Sequence, residues 1–187
     1  MLLLSERLRQ IPILSLQTGS PLAHTASPII DPRRLNIVAF YCEGPLLDEN
    51  PSVLHTADIR EYSDIGIIVN GNEDLMPPDD LVRLQEIIDF KFELIGIRVI
   101  DDHKTKLGKV IDYVVDAQSF MIQKITVKPP LIRSIKESEL VIDRHQIVEI
   151  TDECIVVKAP SVTQDSGTPH DVTFHNPFRK HGPQIEG

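Results

Sequence analysis

The stretch from Leu107 to Val127 reads LGKVIDYVVDAQSFMIQKITV, and 85 positions earlier Leu22 to Cys42 reads LAHTASPIIDPRRLNIVAFYC. Laid over one another without a gap, Leu22 falls on Leu107, Ile30 on Val115, Asp31 on Asp116, Leu35 on Phe120, Ile37 on Ile122 and Phe40 on Ile125. Each copy is an apolar run, a polar break opened by Asp, and a second apolar run. The breaks are Asp31-Pro32-Arg33-Arg34 and Asp116-Ala117-Gln118-Ser119. Asp suits such a break because its carboxylate accepts hydrogen bonds from backbone N–H groups within a turn. Both stretches therefore predict strand, turn, strand, and the chain predicts a β unit written twice.

A second block recurs in the same order. Asp58-Ile59, then Ile65 to Val69, Asn70-Gly71 and Leu75-Met76 align with Glu139 to Ile142, then Ile147 to Ile150, Thr151-Asp152-Glu153 and Ile155 to Val157. Asn70-Gly71 between apolar runs predicts a hairpin, since both residue types tolerate positive φ. In the second copy an opening strand over Ile97 to Ile100 is followed by a turn at Asp101-Asp102-His103-Lys104, and Pro129-Pro130 predicts a loop.

Only one segment has helical period. Asp79 and Asp80 follow Pro77-Pro78 where a helix start favours acidic residues. Leu81, Leu84, Ile87 and Ile88 then share a face, with Arg83, Glu86 and Asp89 between them. The pattern predicts an amphipathic helix from Pro78 to about Lys91 that packs on a neighbouring β unit. From Ala159 onward periodicity is lost, and Ser161 to Pro169 has little to bury, which predicts disorder. Within that tail, Thr173-Phe174-His175-Asn176-Pro177-Phe178-Arg179-Lys180 holds two of the chain's six Phe residues. The expected organisation is a first unit over 1–76, a linking helix over 77–92, a second unit over 93–158 and a tail over 159–187.

Charge and side-chain inventory narrow the function. A net charge of −9 argues against broad contact with a phosphate backbone, which needs clustered Lys and Arg. Lys104, Lys106 and Lys109 read as a solvated turn. Cys42 and Cys154 form no metal or redox motif and read as reduced, half-buried thiols of a cytoplasmic protein. Leu2-Leu3-Leu4 is followed at once by Glu6, Arg7 and Arg9, too short for a signal peptide's apolar core, and no run is long enough to span a membrane. Peripheral attachment through this N-terminal stretch stays open. His24, His55, His103 and His145 are scattered, and His170, His175 and His181 read as solvated tail residues. Asp64, Asp74, Asp79 and Asp80 read as a solvated surface. With no nucleophile elbow, phosphate-cradling loop or paired Cys motif, no residue is nominated as catalytic, cofactor-binding or metal-ligating.

Leu94-Ile95-Gly96, Lys106-Leu107-Gly108-Lys109-Val110 and the strand pair ending at Val127 resemble the opening of the PRC-barrel. This small β-barrel occurs in the photosynthetic reaction-centre H subunit and the RimM ribosome-maturation family. The resemblance covers residues 93–158; in the first copy Ala23-His24 stands where Gly108-Lys109 stands in the second. It implies a mainly β fold of two small PRC-type barrels joined by a short amphipathic helix. It also implies a docking module without catalytic residues. The resulting expectation is a non-enzymatic protein–protein adaptor without cofactors or direct nucleic-acid contact. Its tail would present a short peptide through Phe174, Asn176, Pro177, Phe178 and Arg179. The alternative is a RimM-like accessory factor that binds a ribosomal protein.

Overall fold

The structure is a computed structural model, and it describes residues 1–81, 84–130, 139–151 and 153–159. The first half holds β1 (Leu2–Leu4), β2 (Pro12–Ser15), β3 (Pro21–Asp31), β4 (Asn36–Glu43), β5 (Ser52–His55), β6 (Glu61–Ser63), β7 (Gly66–Val69) and β8 (Leu75–Met76). After α1 (Gln85–Phe90) come β9 (Arg98–Asp101), β10 (Lys106–Asp116), β11 (Ile122–Lys128), β12 (Leu140–Asp143), β13 (Ile147–Ile150) and β14 (Cys154–Val157). They make two sheets, ordered β6-β7-β2-β3-β4-β5-β8 and β13-β14-β9-β10-β11-β12, the latter extended by β1 along β10. The fold is mainly β, and no pairing among the described residues closes either sheet on itself.

The two sheets share one strand order once β1 and β8 are set aside. In each, the first strand of the copy pairs in parallel with its last, β2 with β7 and β9 with β14, and the other pairings are antiparallel. The likeness extends to register. Thr25 pairs with Cys42, Ser27 with Tyr41, Pro28 with Phe40 and Ile30 with Ile37; Val110 pairs with Val127, Asp112 with Thr126, Tyr113 with Ile125 and Val115 with Ile122. Every pair is displaced by the same 85 residues read from the sequence. The irregularities repeat as well: shifts fall between Thr25 and Ser27 and between Ile29 and Ile30, then between Val110 and Asp112 and between Val114 and Val115. A bulge adds an unpaired residue and bends its strand, so matching bulges give β3 and β10 matching bends.

The turn chemistry expected of Asp is present in both copies. Asp31 Oδ1 accepts the Arg33 N–H at 2.9 Å, and Asp116 Oδ2 accepts the Ser119 N–H at 3.1 Å and its hydroxyl at 2.7 Å. Those bonds from Ser119 hold the Asp116 carboxyl below its ordinary pKa. The turn after β9 forms as expected too, with Asp101 Oδ1 accepting the N–H groups of His103 and Thr105. Gly108 answers a need for close approach: it sits at φ +149°, and a Cβ there would fall against the Lys128 carbonyl.

Three expectations need correction. The second block is displaced by one strand: β7 corresponds to β14, not to β13, because Ile67 pairs with Ile13 as Ile155 pairs with Val99. Asn70-Gly71 makes no hairpin. The Asn70 N–H bonds to Asp74 Oδ2 at 2.7 Å, a 3-10 turn follows over Asn72–Asp74, and β8 pairs with β5 rather than β7. The linking helix is also shorter than its apolar period. Pro78–Asp80 forms a 3-10 turn, Leu81 leaves the helical path at ψ 60°, and the α-helix runs only over Gln85–Phe90. The expected burial holds nonetheless. Leu81 and Leu84 pack with Ile29, Ala39 and Val53 on the first sheet, joined by Ile87 and Ile88. The tail expected to be disordered lies outside the described residues, including Phe174, Asn176, Pro177, Phe178 and Arg179.

The two copies meet turn to turn. The Ile37 N–H donates to the Phe120 carbonyl at 2.9 Å, and the Ile122 N–H donates to the Leu35 carbonyl at 3.1 Å. These residues correspond pairwise in the duplication, so the two bonds are related by a pseudo-twofold axis. Phe40 meets Phe120 edge-on across it, with ring centroids 5.7 Å apart and planes at 74°. One buried cluster runs through both copies, from Ile13, Ile37 and Phe40 to Val99, Ile122 and Ile125. The exchange continues at the edge, where β1 precedes the first copy yet hydrogen-bonds to β10 of the second.

Arg144 adds a clasp without a counterpart in the first copy. Its guanidinium donates to the carbonyls of Leu35 at 2.8 Å, Ile122 at 3.3 Å and Arg34. By contrast Arg33 meets Glu86 only at the surface, where an ion pair is worth little. Arg144→Ala is expected to lower unfolding free energy by about 1–3 kcal/mol, since charged donors to half-buried carbonyls are lost. Arg33→Ala should change it by less than about 0.5 kcal/mol. Urea denaturation of both variants checks this; equal effects would remove Arg144 from its role as a clasp.

Candidate functional site

Where the two copies adjoin lies an open groove of about 840 Å³. It is built from both copies. The first supplies Ser27 to Ile30 on β3 and Tyr41 on β4, and the second supplies Ile111, Asp112 and Tyr113 on β10. Ser27 and Pro28 occupy the strand positions that Asp112 and Tyr113 occupy in the other copy. The remaining walls are the segments that lead into each copy: Ser5, Glu6 and Arg9 before the first, and Ile87 to Ile95 before the second. These segments correspond too, because the Gln10 N–H bonds to the Thr25 carbonyl as the Gly96 N–H bonds to that of Val110.

Local sequence explains how the walls are held. Ser5–Leu8 forms a 3-10 turn whose Leu8 is fully buried, while Ser5 donates its hydroxyl to Asp112 Oδ1 at 2.5 Å. The buried Thr25 ties the same segment to β3: its hydroxyl donates to the Leu8 carbonyl at 2.8 Å and accepts the Ile11 N–H at 3.0 Å. On the other side, Lys91 ends α1 in the left-handed region at φ 48° and turns the chain toward Leu94, which is buried. Phe90 and Phe92 stack at 6.2 Å beside this corner.

The groove lining mixes hydrocarbon with charged groups. Ile29, Ile30, Ile87, Ile88, Phe92, Leu94, Ile95 and Ile111 give it hydrocarbon, and Ile95 stays half exposed there. Glu6, Glu93 and Asp112 face Arg9 and Lys91 as the ionic groups of the lining. Such a lining suits an apolar segment with a few polar anchors better than it suits bond-making chemistry. The Ser5–Asp112 pair lacks the imidazole that would make the hydroxyl a nucleophile. The described histidines lie away from this lining: His55 caps a turn by accepting the Ala57 N–H, and His24 and His103 each approach a surface carboxylate at 3.9 Å. Among the described residues no cluster of three or more His, Cys, Asp or Glu could hold a metal ion.

The site was not visible from side-chain types alone. The sequence directed attention to Phe174, Asn176, Pro177, Phe178 and Arg179, whereas the groove draws on isoleucines that read as ordinary core. The available signal was the duplication itself, since matching Ser5 to Arg9 with Lys91 to Ile95 places both segments at the meeting of the copies. The cysteines need one adjustment. Cys154 is half-buried as expected, but Cys42 is fully enclosed, and burial pushes its thiol up to about 12.

Tyr113 gives the groove a pH signature. Burial chiefly, with Asp112 beside it, pushes its phenol up to about 12, against an opposing pull from Arg9. An unfolded tyrosine loses its proton near pH 10. The folded chain still holds the proton there, so the associated stability is present below about pH 10 and is lost as pH rises toward 12. Cys42 adds to the same alkaline loss. Tyr113→Phe should flatten the fall of unfolding free energy between about pH 10 and 12 in urea titrations. A fall as steep as that of the parent chain would contradict the burial of this phenol.

No protein-family model matches the chain, and no curated protein matches it.

Proposed function

We propose that the chain is a non-enzymatic protein–protein adaptor built on two PRC-barrel-type units. The groove between its copies receives an apolar segment of a partner, and residues 159–187 present a short Phe-containing peptide. The observation that carries this reading is the groove: an open concavity lined by isoleucines and charged groups, assembled from corresponding segments of both copies. Duplication of a docking unit produces such a surface where the copies meet, and neither copy contains it alone. The shared strand order supports treating the halves as two units of one kind, and the PRC-type reading rests on the resemblance of the residues around Gly96 and Gly108. Among the described residues no helix is long and apolar enough to cross a membrane. We place the adaptor in the cytoplasm on its composition and reduced thiols.

Replacing hydrocarbon in the groove with charge tests the reading. Ile95 and Ile111 are partly exposed, so Ile95→Arg with Ile111→Arg spares the buried core, and Val148→Arg on β13 is a matched surface control. Each lost apolar contact is worth about 1.5–3 kcal/mol when fully buried. Quantitative cross-linking from native lysate should therefore show partner recovery falling roughly tenfold or more in the groove variant. Val148→Arg should leave recovery unchanged. Equal recovery from all three chains would exclude the groove, and recovery of ribosomal subunits would favour the RimM-like role instead.

A further inference from the structure

The chain carries a candidate occupant for its own groove. We propose that residues 171–180 dock in cis into the groove where the two copies adjoin and cover it until a partner displaces them; this rests on reading the groove as a peptide site. The segment lies outside the described residues, so the inference is drawn from reach, spacing and charge.

Reach is sufficient. The chain leaves the second sheet at Ala159, whose N–H bonds to Asp102 Oδ1 in the turn between β9 and β10 at 3.0 Å. From that turn the groove begins at Ile111, roughly 20 Å along β10 at ~3.3 Å per residue. The fourteen residues from 160 to 173 precede Phe174 and extend to roughly 45 Å.

Spacing also fits. A proline at 177 disfavours helical backbone at the residue before it, which suits entry as extended chain. Residues four apart in an extended chain share a face and lie roughly 13 Å from one another. The groove lining offers such a pair two groups of hydrocarbon. One groups Ile29 with Ile88 on the first sheet; the other sets Ile95 beside Ile111, where the Gly96 N–H bonds to the Val110 carbonyl at 2.8 Å.

Charge agrees in sign. The chain is acidic overall at −9, yet residues 171–180 carry Arg179 and Lys180 against one carboxylate, Asp171. The groove lining carries three carboxylates, Glu6, Glu93 and Asp112, against two cations, Arg9 and Lys91. A basic, aromatic segment and a groove of isoleucines with an acidic excess are complementary in sign. A segment of the same chain also meets the groove at high effective concentration, which favours it over an equal segment from another molecule.

Paramagnetic labelling of the full chain tests the proposal. A nitroxide is attached through Asn176→Cys with Cys154→Ala, the buried Cys42 being inaccessible to the reagent. The expected result is severalfold loss of methyl signal at Ile88, Ile95 and Ile111, unchanged on dilution and abolished by Phe174→Ala with Phe178→Ala. Unaffected methyls, broadening elsewhere on the sheets, or broadening that fades on dilution as for a second copy would each overturn it. Silent methyls combined with partner recovery lost in the Ile95→Arg, Ile111→Arg chain overturn cis docking alone and leave the groove reading intact.

Discussion

Ile37 and Ile122 are wholly buried, and their amide N–H groups need acceptors that water cannot supply. Each finds one in the turn of the opposite copy, the carbonyls of Phe120 and Leu35. Leu35 and Phe120 sit at φ 49° and 54°, a left-handed conformation uncommon for bulky residues and worth about 1–2 kcal/mol of strain each. The strain persists because both side chains are buried in the common core, where Phe120 packs against Phe40. Neither copy could keep its turn in this shape with the other removed. The carbonyls would lose their donors, and Leu35 and Phe120 would be left at an open surface.

From that reciprocal contact the rest of the architecture follows. Once the turns are joined, β3 and β10 leave the axis as related strands, bent alike by matching bulges. The segments leading into the two copies are brought over those strands. One enters as a 3-10 turn tied to Asp112 through Ser5, the other as the short helix α1 packed over Ile29. The groove is the space these four elements leave between them. Its pseudo-symmetry is imperfect where the leading segments differ: β1 extends the second sheet along β10, whereas the corresponding side of the first sheet is covered by α1.

The repeated strand pair was legible because register is a local property: apolar alternation and an Asp-led turn fix which residues face each other. The ungapped match of Leu22 to Cys42 on Leu107 to Val127 therefore extends to individual cross-strand partners. The second block was misread for the opposite reason. The pairing of β7 with β2 and of β14 with β9 is parallel and distant in sequence, and nothing local in Ile67 or Ile155 names the partner. Asn70-Gly71 carried a hairpin signal that Asp74 overrode by capping the Asn70 N–H. The helix after Pro78 was recognisable by its buried stripe, but its length was not, because Leu81 is buried without being helical. Ser5 to Arg9 and Lys91 to Ile95 gave no chemical signal, since a groove between copies is written in their relation and not in either segment.

Joined through their turns, the two copies are expected to form one cooperative body. Native-state hydrogen exchange at the Ile37 and Ile122 amides tests it most directly, because both bonds cross the pseudo-twofold axis. If the account holds, both amides exchange only through global unfolding, with equal free energies that match the value from urea denaturation. Exchange of either amide at a markedly lower free energy, with the strands of its own copy still protected, would show that the copies separate while folded and would contradict the account.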